Sequence, residues 1–166
     1  MGSASPRRSF SCATAWLAIV GQDESRLELA RKELGDEVVA IQADVRLRED
    51  MRRASQQIAD TFGGVDVLFA NAGVAFATPL ASTDESKYDA LMDVNLNGVY
   101  FPMQAISPIL NEDASVILNT SWLNQVGTSG LSLLSASKAA VRSLARTWSS
   151  ELLFRLSSRQ PRYIAK

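Results

Sequence analysis

Residues 65–73 read VDVLFANAG, in which a six-residue run typical of a strand leads directly into a turn of small and polar residues. β-branched and aromatic side chains such as those of Val67 and Phe69 favour extended backbone. Asn71 and Gly73 are residue types that turns prefer. A run that is apolar almost throughout is typical of a strand in a parallel sheet, which is covered on both faces. The stretch therefore predicts an α/β fold.

The chain on either side repeats this alternation of apolar runs and amphipathic segments. We expect further strands at residues 16–20, 38–41 and 116–118, and helices after residue 23 or 25, over 48–62, over 82–110 and from about 132 onward. Strands alternating with helices predict a doubly wound parallel sheet. The Ser82–Glu85 stretch resembles a capping box that opens the third helix. Pro102 predicts a kink or break within it, because an interior proline costs about 3 kcal/mol.

Composition excludes several classes of function. The chain has 166 residues, 46% hydrophobic and 21% charged, which is ordinary for one soluble globular domain. A net charge of −1 with no basic cluster in the middle predicts no nucleic-acid partner. There is no histidine and only one cysteine, Cys12, so neither a Ser-His-Asp triad nor a histidine or cysteine metal site is expected. No apolar run approaches the roughly 20 residues of a membrane span.

The first twenty residues admit a second interpretation. Residues 7–10 (RRSF) followed by the apolar residues 12–20 can be read as a twin-arginine export signal. The apolar stretch is short, however, and runs into the polar residues 22–25 without a small-x-small cleavage site. The lone cysteine also fits a reducing compartment. We therefore expect a cytoplasmic protein.

Three separated motifs occur in a fixed order. Residues 71–73 (NAG) follow a predicted strand, residues 95–98 (NLNG) lie in the predicted third helix, and Ser121 ends a strand seventeen positions before Lys138. In this order and spacing the chain resembles the short-chain dehydrogenase/reductase family, over residues 18–153. The resemblance implies a Rossmann-like fold and an oxidoreductase that transfers hydride between NAD or NADP and an alcohol or carbonyl compound.

The resemblance also implies a role for each matched residue. It assigns cofactor binding to six positions: Asp44, Val45, Asn71, Ala72, Gly73 and Lys138. Asp44 would hydrogen-bond the adenine, and the small residues of the 71–73 turn would let the backbone approach the cofactor. Lys138 would hold the nicotinamide ribose and lower the pKa of a neighbouring phenol.

The implied catalytic set is Asn95, Ser121 and Lys138. Asn95 would hold a helix distortion and a water that relays protons, while Ser121 would orient the substrate carbonyl. Taken singly, these residues have ordinary explanations as a helix-surface amide, a strand-end hydroxyl and a solvated lysine. Asp44 would pass as a helix cap. Only their joint spacing favours the family.

The chain departs from the family pattern at its central residue. The family has a tyrosine four positions before the lysine, and here that position is Leu134. Leucine has no proton to exchange, whereas a general acid typically contributes 10²–10⁴-fold in rate. The tyrosines at positions 88, 100 and 163 do not have the required spacing.

The second departure is at the front of the pattern. The family's first strand and its Thr-Gly-x-x-x-Gly-x-Gly turn, which binds the cofactor pyrophosphate at a helix N-terminus, have no counterpart in the sequence. In a doubly wound sheet that strand is central. Its absence predicts unpaired inner edges on the strands near Ile19 and Val67, unless these close on each other or on another chain.

Both ends are rich in Ser, Arg and Pro and lack the pattern of the middle. We interpret residues 1–15 as an atypical N-terminal segment, 16–153 as a partial Rossmann domain and 154–166 as an atypical tail without the family's C-terminal strands. Out-of-frame or rearranged translation joined to a genuine core is our hypothesis for these ends.

Two functions remain open. The first is an NAD(P)-dependent oxidoreductase, with Gln22 and Asp23 after the first predicted strand leaning slightly to NAD. The second is a non-catalytic remnant without activity, or one that associates with itself or a full-length relative through the helices at 85–110 and 135–153. Val141, Leu144 and Trp148 are interpreted as core or subunit-interface packing.

Overall fold

The computed structural model of the chain describes residues 16–35 and 37–157. The strands are β1 (Leu17–Gly21), β2 (Val38–Gln42), β3 (Val65–Ala70) and β4 (Leu110–Leu118). The α-helices are α1 (Glu24–Leu34), α2 (Arg48–Phe62), α3 (Glu85–Met92), α4 (Gly98–Ile106) and α5 (Ser132–Ser157). Cys12, the twin-arginine stretch and the end of the predicted tail lie outside the described residues.

The four described strands form two separate parallel pairs. Strand β1 pairs with β2, with Leu17 opposite Val38, and β3 pairs with β4, with Phe69 opposite Ile117. No hydrogen-bonded ladder joins β1 to β3 in the described part of the chain. The incomplete sheet predicted from the sequence is therefore present, and the inner edges of β1 and β3 do not close on each other.

Helices lie on both faces of this arrangement, although Val67, Phe69 and Ile117 on one face of the β3–β4 pair are more than half exposed. Helices α2 and α4 pack against strands of both pairs in one cluster, whose buried members are Ile41, Ala43, Met51, Ala54, Ile58 and Ile106. A second cluster joins Ala70 of β3 to Val99 of α4 and Val141 of α5. On the opposite face, Leu27 of α1 lies beside Gly21 of β1.

Local signals place several helix ends. Asp23 caps α1 by accepting a hydrogen bond from the backbone N–H of Arg26 at 3.0 Å. Asp84 caps α3 in the same way, at 2.8 Å from the N–H of Lys87. Gly63 follows α2 with a φ of 78°, a left-handed conformation that favours glycine. These signals are local in sequence, which explains why the bounds of α2 and β3 match the predicted ones.

The predicted break in the third helix is present, but it does not lie at Pro102 as expected. The helix predicted over 82–110 is interrupted by a π-helical turn at Asp93–Asn97, and α4 then runs through Pro102 to Ile106. In the π turn the wider hydrogen-bonding ring inserts an extra residue and rotates the following helix. Asn95 lies within this turn, so the helix distortion that the resemblance implied at Asn95 is present.

Two further boundaries differ from expectation. Strand β4 begins at Leu110, six positions before the predicted Val116. Leu110 pairs with Val65, and the register then shifts before Ser115 pairs with Val67. Helix α5 continues to Ser157, beyond the predicted end of the domain at 153.

Replacing Gly98 with alanine is expected to destabilise the protein. A Cβ at Gly98 would lie 2.8 Å from Cγ2 of Val45, and such overpacking typically costs about 1–3 kcal/mol. Gly127→Ala is the matched control, since its Cβ would meet nothing within 4 Å. Urea unfolding measures both free energies, and Val45→Ala should rescue Gly98→Ala. Equal stability of the two glycine variants would contradict the contact.

Candidate active site

The matched motifs meet at the carboxyl ends of β3 and β4. The 71–73 turn follows β3 directly, and Asn119 and Ser121 follow β4. Lys138 reaches this edge from α5, and Asn95 reaches it from the π turn. Ligands in open α/β sheets bind outside the carboxyl ends of the strands. Backbone topology thus gathers residues that lie more than 60 positions apart.

Lys138 is the best-defined charged group of the site. Its side chain is only 7% exposed, and its ammonium donates to the backbone carbonyl of Asn119 at 2.9 Å. A Cβ at Gly73 would lie 3.5 Å from Nζ. Among the described residues no carboxylate pairs with it, and burial lowers the pKa of Lys138 because the charged form is desolvated. An unpaired, buried ammonium with donors to spare is suited to binding a polar ligand.

The buried charge of Lys138 destabilises the fold, and this destabilisation is expected to decrease as pH rises. Because its pKa is lower in the folded chain, the unfolded chain binds more protons between the two pKa values, and raising the pH through that window favours folding. The free energy of unfolding of wild type minus that of Lys138→Met should therefore increase from pH 7 towards about pH 10. Urea titrations at several pH values measure this difference. A constant difference would contradict the burial of the charged form.

Asn95 ties the π turn to the loop after β3. It is completely buried, its Oδ1 accepts from the N–H of Val74 at 2.8 Å, and its Nδ2 donates to the Val74 carbonyl at 3.0 Å. Nδ2 also lies 3.3 Å from the hydroxyl of Ser137, which donates to the carbonyl of Leu134. The amide therefore fixes the 71–73 turn against the start of α5, one residue from Lys138.

Asn119 is a site residue that the sequence analysis missed. Its Nδ2 donates to Oδ1 of Asn71 at 2.7 Å, its N–H donates to the carbonyl of Ala70, and its own carbonyl accepts from Lys138. It thus connects the two strand ends and the lysine. A polar residue directly after a predicted strand was the available signal, the same one that marked Asn71.

Ser121 lies at the same edge, and its side chain also caps a 3-10 turn. It caps the 3-10 turn Trp122–Asn124, where its hydroxyl accepts from the N–H of Leu123 at 3.3 Å. Leu134 is 8% exposed and belongs to a buried apolar cluster with Leu91 and Leu123. The position of the expected tyrosine is thus occupied by a core side chain next to the turn that Ser121 caps.

The remaining predicted cofactor residues are more loosely connected to this edge. The carboxylate of Asp44 pairs with Arg46 at 2.6 Å, and that hydrogen bonding lowers the pKa of Asp44. Val45 packs against Gly98. Ala72 is half-buried in the turn, and Asp23 is engaged as the cap of α1.

These residues fit one half of a nicotinamide nucleotide. The spare donors of Lys138 match ribose hydroxyls, and the exposed Gly73 beside it leaves room for a close approach. The sequence contains no Thr-Gly-x-x-x-Gly-x-Gly turn for the pyrophosphate half. In the described part of the chain, no three His, Cys, Asp or Glu side chains are grouped as metal ligands.

Comparison with known proteins decides the family. The sequence model described as short chain dehydrogenase matches residues 8–155. The chain is a member of the short-chain dehydrogenase/reductase family. The family match extends further at both ends than residues 18–153, over which the motifs carry the resemblance.

Individual relatives of this short-chain dehydrogenase/reductase support the assignment. It is 34% identical over 140 residues to the oxidoreductase asL5 of Sarocladium schorii, covering 83% of this chain and 56% of that protein. It is 34% identical over 126 residues to the 3-oxoacyl-(acyl-carrier-protein) reductase FabG of Staphylococcus epidermidis, covering 75% of this chain and 52% of that protein. The chain therefore spans about half the length of these relatives.

Solved structures show the same Rossmann-like fold. A short-chain dehydrogenase/reductase from Brucella melitensis superposes with a TM-score of 0.80 at 28% identity, covering 83% of this chain and 59% of that one. A 3-ketoacyl-(acyl-carrier-protein) reductase from the same organism, complexed with NADH, superposes with a TM-score of 0.78 at 25% identity, covering 83% of this chain and 60% of that one. None of the described helices is long and apolar enough to cross a membrane.

Proposed function

We propose that the chain carries the nicotinamide and substrate side of an NAD(P)-dependent oxidoreductase site for alcohols or carbonyl compounds, and that its catalysis is impaired. The observation that carries the proposal is the convergence of Lys138, Asn95 and Gly73 at one sheet edge, within 3.5 Å of a common point at Gly73. Members of this family that resemble the chain include a structure complexed with NADH.

The nicotinamide would supply or accept the hydride when bound. In this proposal Lys138 donates hydrogen bonds to the ribose hydroxyls, with its position set by the Asn119 carbonyl. Asn95 keeps the loop after β3 in place, so that the backbone of the 71–73 turn borders the cofactor. Ser121 orients a substrate carbonyl by hydrogen bonding.

Impairment follows from the groups that are missing. Leu134 cannot give a proton to the reduced oxygen, and its burial beside Leu91 and Leu123 leaves no protic group at that position. We therefore expect slow turnover, with NAD preferred slightly over NADP.

Nucleotide titration tests the proposal. We expect NADH and NADPH to bind saturably by fluorescence titration and to raise the melting temperature by about 3–6 °C at a concentration tenfold above Kd, which corresponds to about 1.4 kcal/mol. Lys138→Met should weaken Kd at least tenfold while remaining folded by near-ultraviolet circular dichroism. Lys87→Met, at an exposed lysine on α3, is the matched control and should bind as wild type.

Two results would count against the proposal. Absence of saturable binding to the folded wild-type chain would show that the nucleotide site is not formed. An unchanged Kd in Lys138→Met would show that the nucleotide binds elsewhere.

A non-catalytic, associating protein is the second candidate, and the burial of Leu134 in an apolar cluster favours it. Its partner surface would be the helices at 85–110 and 135–153, where Tyr88 and Tyr100 are exposed. Sedimentation of the chain, alone and mixed with a full-length relative, tests this candidate. A chain that remains monomeric in both samples would exclude it.

A further inference from the structure

The most deeply buried polar side chains are concentrated in one part of the fold. Among the described residues, the polar side chains that are 0% exposed are those of Thr78, Asn95 and Ser137. Their hydrogen bonds connect the loop after β3, the π turn and the first two turns of α5. Burying a polar group costs free energy unless its hydrogen bonds are made. A buried network in which they are made is rigid and specifies a single arrangement.

Thr78 makes its hydrogen bonds with the residues that lead into α5. Its N–H donates to the carbonyl of Gly130 at 2.7 Å, and its own carbonyl accepts from the hydroxyl of Ser132 at 2.8 Å. Its Oγ1 accepts from the N–H of Leu133 at 3.2 Å. A parallel β-bridge also pairs Thr78 with Leu131. This one threonine therefore attaches the loop after β3 to four consecutive residues at the start of α5.

The hydroxyl of Thr78 takes the place of a helix cap. The first four N–H groups of an α-helix have no partner within the helix, and the side chain of the preceding residue usually accepts from the second or third of them. Helix α5 begins at Ser132, so the preceding residue is Leu131, whose apolar side chain cannot accept a hydrogen bond. The second N–H, that of Leu133, bonds to Thr78 instead. The cap of α5 is thus supplied by a residue 55 positions earlier in the chain.

The segment from Val74 to Thr78 is consequently attached at both of its ends. Asn95 binds the N–H and the carbonyl of Val74, and the start of α5 binds Thr78. Gly73, which borders Nζ of Lys138, directly precedes this segment. Lys138 itself lies about 7.5 Å along α5 from the N–H that Thr78 caps. A displacement of α5 against the loop would therefore move Nζ of Lys138 relative to Gly73.

We propose that Thr78 is a positioning residue of the candidate active site, which fixes Lys138 relative to Gly73 by capping α5 from the loop after β3. Thr78 touches neither cofactor nor substrate in this proposal and acts through Lys138. When the cap is lost, the first turn of α5 shifts, and Nζ leaves the Asn119 carbonyl to which it donates. The consequence for nucleotide binding rests on the function proposed above, whereas the environment of Lys138 is measured without nucleotide.

Removal of the Thr78 hydroxyl from the full chain tests the proposal. Thr78→Val keeps the shape of the side chain but has no acceptor for the Leu133 N–H, whereas Thr78→Ser keeps the acceptor. Titration of the Lys138 ε-carbon resonance by NMR reports the environment of the ammonium. Because burial lowers the pKa of Lys138, displacement of its ammonium into water in Thr78→Val should raise that pKa towards the ordinary value for lysine. Thr78→Ser should titrate as the wild type does.

A control variant separates positioning from a general loss of stability. Ser55 is also buried, and its hydroxyl donates to the carbonyl of Ala105 at 2.7 Å, between α2 and α4. Ser55→Ala should lower the melting temperature but leave the pKa of Lys138 and the affinity for NADH unchanged. Thr78→Val should weaken NADH binding about tenfold, the factor that corresponds to one hydrogen bond from Lys138. Thr78→Ser should bind NADH as the wild type does.

Several results would overturn the proposal. An unchanged pKa of Lys138 in a folded Thr78→Val chain would show that Thr78 stabilises the fold without positioning the lysine. Equal changes in Thr78→Val and Thr78→Ser would assign the effect to packing rather than to the hydroxyl.

Two further outcomes are decided by the same titration. If Thr78→Val does not fold, Ser132→Ala, which removes the hydrogen bond to the Thr78 carbonyl, should raise the pKa of Lys138 in the same direction, and an unchanged pKa there would equally overturn the proposal. Absence of NADH binding by the wild-type chain would reject the proposed function alone, because the titration of Lys138 still decides the role of Thr78.

Discussion

Replacing Leu134 with tyrosine is expected to raise the rate of carbonyl reduction by about 10²–10⁴-fold at saturating nucleotide, the usual contribution of a general acid. The position is four residues before Lys138 on α5, and it adjoins Leu123 in the turn that Ser121 caps. A phenol there would donate the proton to the carbonyl oxygen as hydride reaches the carbon. The lysine charge would lower the pKa of that phenol and favour the transfer.

Leu134→Phe is the matched control for this substitution. It introduces the same ring into the same apolar cluster but has no hydroxyl, so any effect of packing is common to both variants. Oxidation of NADH or NADPH with a panel of small ketones and aldehydes, followed by absorbance, gives the rates. Equal rates for the tyrosine and phenylalanine variants, in chains that bind nucleotide, would show that the missing acid is not what limits this site.

Asn95→Ala is expected to destabilise the fold by roughly 2–4 kcal/mol, because it leaves the N–H and the carbonyl of Val74 without their partner. The melting temperature should fall by about 5–15 °C for a chain of this size. The loop after β3 would lose its attachment to the π turn. Urea unfolding and calorimetry measure the two quantities.

Asn97→Ala provides the comparison for Asn95→Ala. Asn97 lies in the same π turn but is only partly buried, and its amide makes one hydrogen bond, to Asp93 at 2.9 Å. Its loss should cost less than about 1 kcal/mol. If the free energy of unfolding falls by the same small amount in both variants, the burial and hydrogen bonds of Asn95 do not stabilise the fold as the geometry indicates.

Much of the fold could be predicted because its signals are local. The bounds of α2 and β3 follow from apolar periodicity and from glycines at their ends. The amino-terminal half of β4 could not be predicted, since residues 111–113 are polar and exposed and the register with β3 shifts between Leu110 and Ser115. Pro102 misled the prediction because a composition rule cannot show that the helix is already interrupted one turn earlier.

The sequence predicted which residues belong to the candidate site better than it predicted how those residues contact one another. Order and spacing were enough to select Asn95, Ser121 and Lys138. They did not identify Asn119, whose importance arises from three contacts with residues that are distant in sequence. Nor could they show that Ser137 bridges Asn95 and the backbone of α5, because that contact exists only when the two helices are packed together.

The sequence by itself determined the α/β class, the order of the elements, the family resemblance and the loss of the tyrosine at Leu134, since each depends on residue identity and spacing along the chain. The tertiary structure alone decided three other matters. Within the described residues, it buried Lys138 without a carboxylate partner, directed Leu134 into an apolar cluster, and kept β1 and β3 apart on a shared helix layer. Desolvation and strand pairing depend on which groups distant in sequence come into contact. Tertiary packing, rather than spacing along the chain, determines those contacts.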